Sequence, residues 1–165
     1  MSQGERARQY AKDVFNPVYL FGSAASAGIG LWRDQPPEWG QGGQGFGRRF
    51  ASSYAQHIVS ETLLFGASSA LREDNRYLRE GSGEFKHRLG YALKSTLLAR
   101  HDDGSRHLSI SKLTALGGAS LISRAWQPPG PDRMRGAGVN FGVSVAAAMG
   151  LNVVREFLPD LLHRK

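Results

Sequence analysis

Two stretches without a single charge, residues 14–32 and 136–154, most constrain what this chain can fold into. Each is nineteen residues long. At 1.5 Å of rise per residue such a helix reaches about 28 Å, close to the hydrocarbon thickness of a bilayer. Arg133, Arg135 and Arg155 flank the second stretch as interfacial anchors would. Other residues speak against a lipid-facing span. Asn16 and Pro17 interrupt the first stretch, and Asn140, Ser144 and Asn152 dot the second. Glu61 lies inside the apolar run 50–71, where exposure to lipid would cost about 2.5–3.5 kcal/mol. Two architectures stay open: helices packed in a soluble or peripheral domain, and at least one membrane-inserted hairpin.

The punctuation elsewhere is helical. Ser2 is placed to cap a short first helix running to Asp13, and Asn16–Pro17 to start a second. Residues 33–47, with Pro36, Pro37 and a cluster of glycines, predict an internal loop. Residues 46–71 and 84–100 read as helices from their apolar spacing. Around 95–112, helices flanking a polar turn are preferred over a short β-hairpin of 95–101 with 106–112, whose turn would be Asp103–Gly104. Ser109 or Ser111 would cap a helix reaching about Trp126, and a second Pro-rich loop occupies 127–135. The last helix is expected over 136–158, with Pro159 as its stop. The chain thus reads as a single all-α domain over 1–165, a small bundle of four or five helices. Ala25-Ser26-Ala27 has the form of a signal-cleavage site, but the apolar run before it is short and broken, so a cleaved signal is the minor reading.

Small residues recur at helical spacing. Gly138, Gly142, Ala146 and Gly150 repeat every fourth position, as do Gly22, Ser26 and Gly30, and Ala115, Ala119 and Ser123. Such stripes let helix backbones approach closely, in lipid or in water. The 138–150 stripe is the candidate helix contact.

Composition closes off much chemistry. There is no cysteine, which excludes disulfides, iron–sulfur clusters, thiolate metal sites and cysteine nucleophiles. The net charge is +7, with 21 lysines and arginines against 14 acids. Sixteen of the cations are arginine, the side chain suited to bidentate contact with phosphates and carboxylates. An anionic partner follows: anionic lipid or an acidic protein face, with nucleic acid a weaker alternative.

The local motifs carry little catalysis. Gly40-Gln-Gly-Gly-Gln-Gly45 satisfies G-x-G-x-x-G, but no buried strand precedes it, so no dinucleotide site is expected. An anion nest at the start of the following helix, aided by Arg48 and Arg49, is the better use of that segment. His57 and Glu61 share a helix face, yet a metal site needs a third ligand from another segment. His101-Asp102-Asp103 reads as a solvated turn. No G-x-S-x-G elbow occurs among the sixteen serines. No catalytic residue, metal or cofactor is assigned. The candidate contacts for an anion or partner are Trp39, Gly45, Arg48, Arg49, Glu73, Asp74, Arg76 and Tyr77. A structural network is the preferred role for the 72–77 cluster.

Five segments carry a resemblance: Trp39-Gly-Gln-Gly, Gly45-Phe-Gly-Arg-Arg49, Glu73-Asp-Asn-Arg-Tyr77, Ile122-Ser-Arg-Ala-Trp-Gln-Pro128 and Arg155-Glu-Phe-Leu-Pro-Asp160. In this order they resemble an uncharacterised family of bacterial proteins, many with export signals upstream. The resemblance covers the chain from about Asp13 onward and implies a cell-envelope location, but no activity. The functional expectation is a non-enzymatic, envelope- or membrane-associated interaction protein with a basic surface. The alternative is a soluble nucleic-acid- or anion-binding module, cytoplasmic in location.

Overall fold

The computed structural model describes residues 2–100, 105–129 and 133–162. Helix α1 (Gln3–Val14) opens with a capping box, in which Ser2 and Glu5 exchange side-chain and backbone hydrogen bonds. Helix α2 (Pro17–Trp32) starts as its sequence dictates: Pro17 fills the first turn and the Asn16 side chain accepts the Val18 N–H at 3.0 Å. Both helices run antiparallel to α3 (Gly42–Leu71). Arg6 reaches the Glu73 carbonyl, Tyr10 meets Thr62, and Ser23 meets Ser53. Helix α5 (Ile110–Ile122) returns along α3 and ends in a 3₁₀ turn, from which the Trp126 indole donates to Ser52 at 3.1 Å. Helix α6 (Arg133–Leu162) runs back along α5, and α4 (Phe85–Lys94) packs on α6.

The long helices form a crescent in the order α2, α3, α5, α6. Helix α3 packs closely on α2 and α5, and α5 packs on α6, whereas among the described residues α6 approaches α3 more loosely, through the Gln56–Ser144 side-chain hydrogen bond. The open side of the crescent therefore lies between α2 and α6. One end of the bundle gathers Arg33, the 33–41 loop, the start of α3, Arg124 and the start of α6. The other end gathers residues 72–84, α4, a small hairpin and the end of α6.

The interior is inverted relative to a water-soluble bundle. Among the described residues, the fully buried apolar set is Val14 and six alanines, whereas Glu73, Glu156 and four serines are less than 2 % exposed. Large apolar side chains stand outside: Phe21 is 76 % exposed, Trp32 85 % and Val143 63 %. In water each of these forgoes about 1.5–3 kcal/mol of burial. Two stretches, Gln3–Trp32 and Met134–Asp160, are long and apolar enough to cross a membrane.

Several sequence expectations need correction. The 33–47 loop is shorter than expected, because the glycines from Gly42 onward already form the first turns of α3. Packing requires glycine there, since a Cβ on Gly45 would collide with the Gly40 carbonyl. The helix expected over 84–100 stops at Lys94. A hairpin, the less favoured reading, follows: β1 (Leu98–Arg100) pairs antiparallel with β2 (Arg106–Leu108), and Asp74 bridges to Arg100 on β1. The Asp103–Gly104 turn and the His101-Asp102-Asp103 segment lie outside the described residues. Pro159 does not stop α6, which continues to Leu162. Arg79 and Arg88 hold that last turn by donating to the Glu156 carbonyl, both at 2.9 Å, and to the Asp160 carboxylate.

The 138–150 stripe is not a helix contact within the chain. No atom lies within 4 Å of a Cβ built on Gly138, Gly142 or Gly150, and Ala146 is exposed. The reason is angular. Helix α6 turns Asn140, Ser144, Ala148 and Asn152 inward, and residues offset by two positions fall on the opposite face. Close approach instead occurs at Gly30, where a Cβ would sit 3.0 Å from the Gln35 carbonyl oxygen. Gly30→Leu is therefore expected to destabilise by about 1–3 kcal/mol through overpacking. Gly142→Leu is expected to leave stability unchanged or raise it by up to about 1 kcal/mol, through helix propensity alone. Denaturant titration of the two variants checks both signs.

Candidate functional site

The two ends of the bundle are built from buried charges, and each uses motif residues singled out in the sequence. At the arginine-rich end, Arg49 is 3 % exposed. Its guanidinium donates to four carbonyls: Gln35 at 2.9 Å, Pro36 at 2.9 Å, Gly40 at 2.7 Å and Gly45 at 3.1 Å. Asp34 adds an ion pair at 3.7 Å. Arg49 thus clamps its own loop rather than facing outward as an anion contact. Arg48 is exposed, and Trp39 is half-buried beside the clamp.

At the opposite end, two carboxylates act as hubs. Glu73 accepts the Ser109 and Ser111 hydroxyls and the backbone N–H groups of Ile110 and Ser111. It satisfies the exposed donors at the start of α5, while Ser109 caps the Lys112 N–H. Glu156 accepts from the Tyr77 hydroxyl at 2.7 Å, Arg88 at 2.8 Å, and the N–H groups of Glu80 and Gly81 at 3.0 Å each. Asp74 and Arg76 form a local bidentate pair, with their closest approach 2.7 Å. Of the 72–77 candidates, then, Glu73 and Tyr77 hold separate hubs and Asp74 and Arg76 hold each other.

Burial alone would raise the Glu73 carboxyl. The hydrogen bonds from Ser111, Ser109 and the α5 backbone outweigh it and hold the group below the usual carboxylate range. A depressed folded-state value gives stability that is present above the unfolded carboxyl value, near about 4.3. That stability is lost as the pH falls through the folded value. The stability gap between the wild type and Glu73→Gln is expected to be widest near neutrality and to shrink with acidification below about pH 4. Urea midpoints at neutral and acidic pH measure it.

Between these ends the crescent encloses a cavity of ≈ 1380 Å³. Helix α3 supplies a polar stripe to it through Ser52, Ser53, Gln56, His57, Ser60 and Glu61. Glu61 and His57 are paired at 3.8 Å, with side chains only 12 % and 10 % exposed. His57 also meets the Asp13 carbonyl at 3.0 Å and stacks on Tyr19 with ring centroids 3.9 Å apart. From α6, Ser144 accepts a hydrogen bond from Gln56 at 3.3 Å, and Arg155 lines the same cavity as Tyr19. No three His, Asp or Glu side chains converge to metal-binding distance among the described residues.

The sequence reading treated His57 and Glu61 as a lone pair and passed over Tyr19 and Arg155 as site residues. The signal for the cavity lay in α3 itself. Polar positions 49, 52, 53, 56, 57, 60, 61 and 68 recur at helical spacing within an apolar helix. Asn140, Ser144 and Asn152, which weighed against a span, all point inward, to Gln127, Gln56 and Thr96 respectively. Ala27, in the cleavage-like triplet, is 1 % exposed within α2. No protein-family model, curated protein or solved structure matches the chain.

Proposed function

We propose that the chain is a membrane-embedded helical bundle of the cell envelope, a non-enzymatic protein that meets anionic head groups or an acidic protein face through its charged ends. The observation that carries this reading is the inversion of burial. Twenty large apolar side chains are exposed among the described residues, while arginine, glutamate, serine and asparagine fill the interior. Lipid around the bundle removes the hydration penalty of the outer face. Polar side chains in spanning helices are expected to face the bundle interior or a cavity, and Glu61 and Asn152 do.

The ends support the same reading. Trp32, Trp39 and Trp126 all fall at the arginine-rich end, as in an interfacial aromatic belt. Arg33 and Arg48 are exposed beside them, where anionic head groups would lie. The envelope location implied by the sequence resemblance agrees.

Fractionation of the native protein tests the proposal. Retention in the membrane pellet through both carbonate and high-salt washes is the expected result. Release by salt alone would mean peripheral, electrostatic attachment. A chain that never pellets would overturn the proposal and favour the soluble anion- or nucleic-acid-binding module.

A further inference from the structure

Side chains of both signs of charge line the cavity. Arg155 and Lys112 line it, and so do Glu61 and Asp13. Among the described residues no carboxylate lies within 4 Å of Arg155, which stands near enough to Tyr19 and Glu61 to act on both electrostatically. Lys112 gives two of its three N–H donors to the carbonyls of Ser95, at 2.8 Å, and Leu98, at 2.7 Å. The Glu61 carboxylate has only the 3.8 Å approach of His57, beyond hydrogen-bonding distance. Asp13 uses one oxygen for Gln9, at 2.8 Å. Two cations and two carboxylates thus retain bonding capacity toward one space.

We infer that this cavity is a lateral binding site for a single zwitterionic phospholipid, its phosphate held by Arg155 and Lys112 and its ammonium by Glu61 and Asp13. A purely anionic head would be placed against Glu61 and Asp13, and a purely cationic one against Arg155 and Lys112. A head carrying both charges satisfies all four. The volume of ≈ 1380 Å³ exceeds the ~300–1,000 Å³ usual for small-molecule pockets and leaves room for acyl chain. Entry is through the open side of the crescent, where Gly22 and Ser26 of α2 and Val143 and Ala147 of α6 line the cavity. Small side chains there leave a passage for a chain from the hydrocarbon. This lateral entry rests on the membrane reading given above.

Native mass spectrometry of the full chain in mild detergent tests the site. Dioleoyl-phosphoethanolamine is the probe, and dioleoylglycerol, dioleoyl-phosphoglycerol and free phosphoethanolamine are the competitors. A single adduct selective for the zwitterionic lipid is expected. Arg155→Gln should lower its occupancy about tenfold, the loss of one charge-assisted contact. Glu61→Gln should erode the preference for the ethanolamine head over the glycerol head. Ala147→Trp, which blocks the passage without touching a polar group, should abolish the adduct even if Arg155→Gln fails to fold. Equal binding of dioleoylglycerol, equal binding of free phosphoethanolamine, or occupancy unchanged in Ala147→Trp would overturn the assignment. Carbonate-washed membranes of the same preparation separate the two claims. Retention without a selective adduct overturns the lipid site alone. A washed-off protein that still carries the selective adduct overturns the membrane reading and leaves the site standing.

Discussion

Glu156→Ala is expected to lose about 3–5 kcal/mol of stability, because it removes a fully buried carboxylate that is the shared acceptor of Arg88, the Tyr77 hydroxyl and two backbone N–H groups. The carboxylate is fully buried and accepts from Tyr77, Arg88, Glu80 and Gly81, and so ties the 77–81 loop and α4 to α6. Removing it leaves Nε of Arg88, on a side chain only 11 % exposed, without its acceptor. Arg88 still has Asp160 at 2.7 Å and lies over the Phe157 ring at 4.7 Å, so α4 is expected to loosen rather than detach. Tyr77→Phe removes one hydrogen bond to the same carboxylate and is expected to lose about 1.5–3 kcal/mol. The ordering Glu156→Ala worse than Tyr77→Phe, read from denaturant midpoints, checks the account. Equal losses would mean that Tyr77 alone carries the junction.

Arg49→Ala is the second large loss, again about 3–5 kcal/mol. Four backbone carbonyls of the 35–45 segment converge on one guanidinium, and without it the loop loses the donor that gathers them while the 3 % exposed site is left with a void. Arg49→Lys is expected to recover little. An ammonium offers three donors from a single point, and these carbonyls are met by a planar fork. Arg48→Ala is the control, since Arg48 is exposed. Its effect on stability is expected to stay within about 0.5 kcal/mol. If binding to anionic vesicles falls in Arg48→Ala while stability holds, the outward arginine is the head-group contact and the inward one is structural.

Local signals in the sequence carried the helices well. Ser2, Asn16 and Ser109 act as the caps their positions suggest, and the charge-free runs are helical. What was not legible is which face of each helix points inward. The α6 glycine stripe looked like a packing seam because small residues at every fourth position fit one. Yet Asn140, Ser144, Ala148 and Asn152, on the opposite face, have the same period, and only the tertiary arrangement decides between the two sets. The hairpin stayed the less favoured of two readings because Leu98–Arg100 is three residues long, too short for periodicity to separate from helix. It is fixed by pairing with β2 and by Asp74 arriving from a distant segment. The hubs at Glu73 and Glu156 were equally out of reach, since their partners come from α5, α4 and the 77–81 loop.

The inversion of burial is the central claim, and the absence of cysteine makes it directly measurable. Single cysteines at Phe21 and Val139 (outer face) and at Ser60 and Ala148 (cavity wall) can carry nitroxide labels in lipid-reconstituted protein. Collision with oxygen, which concentrates in hydrocarbon, is then compared with collision with a water-soluble nickel chelate. Oxygen-dominated labels at 21 and 139, with chelate access or immobilisation at 60 and 148, are the predicted result. Chelate-dominated labels at 21 and 139 would contradict the account and return the exposed apolar faces to water or to a protein partner.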